Sequence, residues 1–261
     1  MKYLWDFRAE IDQRMRGRQI ALFLDFDGTL ADIAPVPKAA ALPQKTKSIL
    51  SRLSRKMNMA IISGRSLSDI RKQIRIPGIA YVGSHGLEYR IGGINRKSAL
   101  KRPEREALRN IKLVFSRLRP GFPGMLLEDK GSILAVHYRR GSPQKRKALK
   151  DACRKIFGAR VEARLKMVFN KMVTEFRPAY GWTKGQAVLH LLKNFGGKKS
   201  GRELLPIYIG DDLTDENAFI ALRKKGLTIR VKRDRRSAAV YYLNNPADVS
   251  RFLESLRYGY E

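Results

Sequence analysis

The sequence has little of three things: cysteine, acidic residues and long apolar runs. Its 261 residues include one cysteine, Cys153, which excludes an internal disulfide and favours a reducing, cytoplasmic location. Cys153 lies among apolar residues at helical spacing, which predicts a place in the core. No run reaches the about 18 apolar residues that span a bilayer, and residues 1–19 lack the apolar centre of a secretory signal. We therefore expect no membrane anchor and no export signal.

Acidic residues are scarce: 24 Asp and Glu stand against 54 Lys and Arg, which gives a formal charge of +30. Such a charge predicts anionic partners or surroundings but does not choose among them. The basic runs, such as 139–155 and 223–236, are typical of solvated helix faces. A nucleic-acid surface is the alternative, although aromatic residues do not alternate regularly with the basic ones.

Apolar runs are short, and four of them end in small or polar residues, at 20–28, 57–64, 79–86 and 204–212. Segments with helical spacing of apolar residues lie between the first three runs, which predicts strands alternating with helices. This order indicates an α/β fold with a Rossmann-like parallel sheet. Binding sites in such folds form beyond the carboxyl ends of the strands.

The pattern changes between residues 99 and 181, where helix, strand, strand, helix, strand and strand are predicted in that order. The last two strands are expected at 160–164 and 166–178. This αββαββ order predicts an inserted α+β cap, or lid, domain. The core domain would then comprise residues 1–98 and 182–261.

Two aspartates, Asp25 and Asp27, stand at the end of the first apolar run. Residues i and i+2 of a strand point to the same face, so the two carboxylates are expected side by side. They would repel each other unless a cation or a proton lay between them. An aspartate that caps the following turn is the simpler interpretation of this pair taken alone.

Further carboxylates follow the fourth apolar run, at Asp211, Asp212 and Asp215. Acidic residues often begin a helix because they match its dipole, but a double aspartate directly after a strand is not easily explained in this way. Together with Asp25 and Asp27, these residues predict a Mg²⁺ site at the carboxyl edge of the sheet.

Groups that could bind an anion stand at two other positions. Thr183 and Gln186 have the spacing of a capping box, which places Lys184 in the first turn of a helix, where anions are attracted. Ser63 ends the second apolar run, and its hydroxyl could donate to a phosphate oxygen. Ser66 and Asp69 are expected to cap the helix that follows.

These motifs, 25-DFDGTL, 63-SGR, Lys184 and 210-GDDLTDE, resemble in their order the haloacid dehalogenase-like phosphatases. The stretches 83-GSHGLEYR, 128-EDKGSILAVHYR and 175-EFRPAYGWTKG narrow the resemblance to trehalose-6-phosphate phosphatases, from about residue 19 to 256. The resemblance implies a Mg²⁺-dependent phosphoric monoester hydrolase that acts on a small sugar phosphate. Its pathway partner would be a trehalose-phosphate synthase.

The resemblance also implies roles for individual residues. Asp25 would be the nucleophile and Asp27 the general acid and base, while Ser63 and Lys184 would hold the phosphoryl group. Mg²⁺ would be held by Asp25, the backbone carbonyl of Asp27, and Asp211, with Asp212 and Asp215 nearby. The implied substrate-binding residues are Glu128, Lys130, Glu175, Arg177, His85, Glu88 and Arg65. Sucrose phosphate and glycosyl-3-phosphoglycerate remain alternative substrates.

Overall fold

The structure is a computed structural model that describes residues 1–34, 40–97, 100–158, 164–170, 172–179, 183–195 and 203–256. Contacts divide the chain into two compact units. We call residues 1–96 and 182–261 the core unit, and residues 97–181 the inserted unit. Within the described stretches, no helix has the length and hydropathy needed to cross a membrane.

Helices and strands alternate over residues 2–83 of the core unit, as the apolar pattern predicts. The α-helices are α1 Arg8–Met15, α2 Gln44–Leu53, α3 Leu67–Ile74, α4 Arg102–Leu118, α5 Pro143–Ile156, α6 Lys184–Phe195, α7 Glu216–Leu222 and α8 Pro246–Ser255. The strands are β1 Lys2–Tyr3, β2 Gln19–Leu24, β3 Asn58–Ile62, β4 Ala80–Gly83, β5 Glu88–Ile91, β6 Ile94–Lys97, β7 Leu126–Asp129, β8 Leu134–His137, β9 Leu165–Asn170, β10 Val173–Pro178, β11 Leu204–Gly210, β12 Leu227–Val231 and β13 Tyr241–Leu243.

The core unit is built on a nine-stranded sheet in the order β1-β13-β12-β11-β2-β3-β4-β5-β6. The pairs from β1 to β4 in this order are parallel, and β4 pairs antiparallel with β5. The chain moves from β2 to β3 and β4 in one direction, whereas β11, β12 and β13 extend on the other side of β2. Such a change of direction leaves a crevice at the carboxyl ends of the central strands.

Helices cover both faces of this sheet, which explains why its strands are apolar on both sides. Leu22 and Leu24 of β2 point to one face and pack with residues of α1, α2, α3 and α8. Phe23 points to the other face and packs with residues of α6 and α7. The α/β fold class predicted from the sequence is confirmed.

The inserted unit contains a four-stranded antiparallel sheet in the order β7-β8-β10-β9. One face of it, with Leu134, Val136 and Phe176, packs on α4 and α5, and Cys153 is buried in that core. Burial raises the pKa of the Cys153 thiol to about 11, which keeps it protonated at neutral pH. The core position predicted for Cys153 is therefore confirmed.

The order of elements in the inserted unit is the predicted αββαββ, but the last two strands differ from the prediction. The run 166–178, expected as one strand, forms the hairpin of β9 and β10. Asn170 pairs with Val173, so the chain reverses between them. The separate strand expected at 160–164 falls largely outside the described residues.

Candidate active site

The carboxyl ends of three neighbouring strands bring together residues that are far apart in the chain. Asp25 follows β2, Ser63 follows β3 and Asp211 follows β11, and these strands lie next to one another in the sheet. The backbone N–H of Asp25 donates to the Ile209 carbonyl at 3.0 Å, which extends the pairing of β2 and β11 to the site. The sheet topology thus determines which side chains meet.

A buried lysine joins two of the aspartates. Lys184 Nζ lies 2.8 Å from Asp25 Oδ1 and 2.7 Å from Asp215 Oδ1, and all three side chains are buried. The capping box predicted at the start of α6 is present: Gln186 N–H donates to Thr183 Oγ1, and Thr183 N–H donates to Gln186 Oε1. This cap begins the helix at Lys184 and directs the ammonium group into the site.

Asp215 accepts four hydrogen bonds and is completely buried. Its Oδ1 accepts from Lys184 and from the Tyr208 hydroxyl at 2.6 Å. Its Oδ2 accepts from the backbone N–H groups of Asp211 at 3.1 Å and Asp212 at 2.9 Å. A carboxylate has about four lone-pair positions, so this set uses all of them. Asp215 therefore fixes the loop after β11 and the lysine.

The charges of the site are strongly coupled. Burial raises the pKa of the Asp25 carboxyl, the Lys184 ammonium opposes that rise, and the carboxylates of Asp215 and Asp211 add to it. Burial alone would lower the pKa of Lys184, but the carboxylates of Asp215 and Asp25 raise it above its usual value. The lysine is therefore charged at every physiological pH.

Asp25, Asp211 and Asp215 form an acidic cluster in which one carboxylate oxygen of each lies within 4.8 Å of the others. Three carboxylates facing one ammonium leave two negative charges, and the oxygen donors suit a hard divalent ion such as Mg²⁺. Gly28, at φ +82°, keeps the turn open here, because a side chain on it would overlap the Asp211 carboxylate. The cluster is compatible with a divalent metal.

Asp27 points to a different partner. Arg65 Nε and Nη2 donate to its two carboxylate oxygens at 2.7 and 2.6 Å, and Arg65 Nη1 donates to Asp69 Oδ2 at 2.7 Å. The guanidinium lies over the Phe26 ring, 5.1 Å from its centroid. The Ser66 hydroxyl accepts from Asp69 N–H, as predicted for the cap of α3, whereas the Asp69 carboxylate binds Arg65.

The segment after β4 holds the loop that contains Ser63. Ser84 N–H donates to the Arg65 carbonyl at 2.6 Å, and His85 N–H donates to the Ser63 carbonyl at 3.3 Å. Ser84 and His85 both have left-handed backbone conformations, with φ near +50°, which is uncommon for residues other than glycine. A side chain on Gly64 would meet the His85 ring at 2.7 Å, so ring and loop are in close contact. Glu88 Oε2 accepts from Leu67 N–H at the start of α3. His85 thus contacts the loop that contains Ser63, and Glu88 contacts the first residue of the helix that follows this loop.

The other substrate-binding residues predicted from the sequence lie in the inserted unit, on the sheet face opposite α4 and α5. Lys130 Nζ lies 3.0 Å from Glu175 Oε1, and Glu128 Oε2 lies 2.8 Å from His137 Nε2. Arg177 follows Glu175 by two residues and stands opposite Lys166 of β9. Burial lowers the pKa of both Lys166 and Arg177. We call this side of the sheet, with Glu128, Lys130, Glu175 and Arg177, the polar face of the inserted unit. The opposite face of the sheet is apolar.

Two residues of the site were not predicted from the sequence. Tyr208 lies within an apolar strand, and its only signal is that a buried tyrosine hydroxyl needs a partner. Asp69 was expected only as part of a helix cap. The orientation of its carboxylate towards Arg65 depends on the fold, because Arg65 is held by Asp27, 38 residues away in the chain.

The parallel sheet with its inserted unit is the fold of a haloacid dehalogenase-like hydrolase from Bacteroides thetaiotaomicron, with a TM-score of 0.63 and 14% identity over 92% of this chain and 99% of that one. Residues 23–247 match the trehalose-phosphatase family model. The chain belongs to the trehalose-phosphatase family, and it is a phosphatase.

The chain is also similar to individual curated proteins and to solved structures. The chain is 34% identical to trehalose-phosphate phosphatase B of Arabidopsis thaliana, over 95% of this chain and 68% of that protein. It is 36% identical to an uncharacterized glycosyl hydrolase of Mycobacterium tuberculosis, of which it spans 19%. The C-terminal domain of the C. albicans trehalose-6-phosphate phosphatase has the same fold, with a TM-score of 0.84 and 24% identity, over 98% of this chain and 97% of that one.

Proposed function

We propose that this protein hydrolyses trehalose 6-phosphate to trehalose and phosphate through an aspartyl-phosphate on Asp25. The observation that carries the proposal is the buried Asp25 carboxylate, bonded to Lys184 at the carboxyl edge of the sheet, in a chain of the trehalose-phosphatase family. A trehalose-phosphate synthase would supply the substrate. The cytoplasmic location expected from the single cysteine stays a prediction.

In the first half of the proposed reaction, a carboxylate oxygen of Asp25 attacks phosphorus while the bond from phosphorus to the sugar oxygen breaks. Asp27 gives its proton to that departing oxygen, so trehalose leaves as a neutral alcohol. In the second half, water attacks phosphorus and gives a proton to Asp27. Phosphate then leaves, and the Asp25 carboxylate is restored.

Lys184 and Ser63 suit the phosphoryl group for different reasons. Lys184 is a buried cation, so its attraction for phosphoryl oxygens is weakened little by water. The Ser63 hydroxyl is 1% exposed and accepts from Arg65 N–H at 3.1 Å, which leaves its own proton to donate. Both groups would stabilise charge without having to move.

Mg²⁺ would be held by Asp25, Asp211 and the backbone carbonyl of Asp27, because Asp215 has already used its four acceptor positions. Asp212 donates its backbone N–H to Asp215 and caps the following turn with its carboxylate. Bound there, Mg²⁺ would offset the negative charge of the carboxylates and polarise the phosphoryl oxygens.

The polar face of the inserted unit is the part of the molecule suited to the sugar. A disaccharide offers many hydroxyls, each of which both donates and accepts, so carboxylates and ammonium groups in fixed positions can bind it. Glu175, which is 3% exposed, and Lys130 meet this requirement, and Glu128 and Arg177 share their face. Arg65, by contrast, contacts Asp27 and Asp69. His85 contacts the loop around Ser63, and Glu88 contacts the start of α3.

The test is a panel of sugar phosphates assayed for phosphate release in the presence of Mg²⁺. We expect the highest kcat/KM with trehalose 6-phosphate, compared with sucrose 6-phosphate and glucosyl-3-phosphoglycerate. A higher kcat/KM on either of the other two would replace the proposed substrate. The absence of release from all three would contradict the proposed function.

A further inference from the structure

Arg65 has the contacts of a residue that holds another side chain in place. Each of its three guanidinium nitrogens donates to a carboxylate oxygen: two bind Asp27 and one binds Asp69. The Arg65 side chain is 6% exposed, whereas those of Asp27 and Asp69 are 39% and 37% exposed. The guanidinium is thus buried between two carboxylates that reach the surface.

The two bonds to Asp27 determine the plane of its carboxylate. A guanidinium is a rigid planar fork, and two parallel N–H bonds to one carboxylate leave that group no freedom to rotate. Each oxygen uses one lone pair in this contact and keeps the other. Asp27 can therefore be held in one orientation and still give or take a proton at a free lone pair.

Asp69 and Phe26 hold Arg65 in turn. Asp69 lies in the first turn of α3, which the Ser66 hydroxyl caps, so its carboxylate has a well-defined position. Phe26 lies between Asp25 and Asp27 in sequence, and its buried ring supports the guanidinium. The contacts run from the helix, through the arginine, to Asp27.

We propose that Arg65, held by Asp69, is a positioning residue that orients the Asp27 carboxylate for proton transfer to the departing sugar oxygen. This inference rests on the proposed function, in which Asp27 is the general acid. It differs from the substrate-binding role that the family resemblance implies for Arg65.

The test compares two substrates that differ in one atom: trehalose 6-phosphate and its analogue with sulfur as the bridging atom. An alkoxide needs a proton as it leaves, whereas a thiolate is a far weaker base and leaves without one. With enzyme in excess, release of the sugar is followed during a single turnover. This rate reports the departure of the sugar and not the later hydrolysis of the aspartyl-phosphate. Contacts with the phosphoryl group and with the sugar are the same for both substrates.

We expect Arg65→Lys to slow release of the sugar from the oxygen substrate about 100-fold, which is the low end of what general acids contribute. Release of the thiosugar from the sulfur substrate should slow only a few-fold. Asp69→Asn should slow release of the sugar from the oxygen substrate about tenfold. This variant keeps the Arg65–Asp27 contact, so it can test the inference if Arg65→Lys fails to fold. Arg8→Lys is the matched control, because Arg8 forms a similar fork with Asp12 on α1. It should not discriminate between the substrates.

Equal losses on both substrates in Arg65→Lys and Asp69→Asn would overturn the inference. Asp27→Asn separates this failure from failure of the proposed function. If Asp27→Asn discriminates between the substrates and the other two variants do not, Asp27 is the acid and Arg65 does not orient it. If Asp27→Asn does not discriminate, Asp27 is not the acid and the inference fails with that assignment, while hydrolysis of trehalose 6-phosphate stands. If the wild-type protein releases no phosphate, the proposed function itself fails.

Discussion

The two units of this protein carry the same formal charge on very different lengths of chain. The inserted unit, residues 97–181, has 22 Lys and Arg and 7 Asp and Glu, whereas the rest of the chain has 32 and 17. Each part therefore has a formal charge of +15. The acidic residues also have different neighbours in the two units, and under the proposed function this difference would separate chemistry from recognition.

In the core unit, three carboxylates lie together at the strand ends and face a single buried ammonium. On the polar face of the inserted unit, each acid has a basic neighbour: Glu175 has Lys130, and Glu128 has His137. A cluster with excess negative charge is suited to a metal and a reacting phosphate. A face with paired charges is suited to a ligand that is neutral but rich in hydrogen-bonding groups.

The largest effect is expected from the core unit, on replacing Asp25. Asp25→Asn removes the proposed nucleophile but keeps its size, so turnover should fall on the order of 10⁴-fold or more. Steady-state phosphate release measures this loss, and circular dichroism checks the fold. Asp12→Asn, at an exposed position of α1, is the matched control and should retain activity. Normal turnover by Asp25→Asn would refute the assignment.

Metal binding provides a second test of the difference between the two units. A ligand at 100 times its Kd stabilises the folded state by about 2.7 kcal/mol, so Mg²⁺ should raise the Tm of the wild-type protein. Asp211→Asn should remove most of this rise, whereas Asp212→Asn should keep it because that carboxylate caps a turn. A chelator should abolish phosphate release. Equal Mg²⁺ shifts in both variants would argue against Asp211 as a ligand.

A change on the polar face of the inserted unit should alter recognition and leave the metal site intact. Glu175→Gln replaces a charged hydrogen-bonding partner, typically worth about 1.5–3 kcal/mol, so kcat/KM for trehalose 6-phosphate should fall roughly 10- to 100-fold. The Mg²⁺-dependent rise in Tm should not change. Glu106→Gln, on the exposed side of α4, is the control. Loss of the Mg²⁺ shift would contradict this division of roles between the units.

The smallest effect concerns stability at low pH. Burial alone would raise the pKa of Glu128, but the hydrogen bond with His137 and the charge of Lys130 hold that pKa below its usual value. The resulting stabilisation is present above the unfolded pKa of about 4.3 and is lost as pH falls through the lower folded value. In Glu128→Gln, the free energy of unfolding should therefore decrease less below about pH 4.3. An unchanged pH profile in urea unfolding would contradict the pairing.

Much of the fold could be predicted because its signals are local. Apolar runs of a few residues alternate with helical patterns, and the capping box at Thr183 and Gln186 marks the start of α6 in the sequence itself. The hairpin of β9 and β10 was predicted as one strand, because the sequence has no glycine or proline between Asn170 and Val173 to mark a break. Turns without these residues are weak signals.

The α/β class, the inserted unit and the aspartates at two strand ends could be read from the sequence, since spacing and periodicity act over a few residues. The partners of those aspartates depend on the tertiary structure. Lys184 reaches Asp25 across 159 positions of the chain, and Arg65 reaches Asp27 across 38. These contacts depend on strand order and on where helices begin, so no local pattern contains them. In the fold, Asp25 is bonded to a lysine and Asp27 to an arginine.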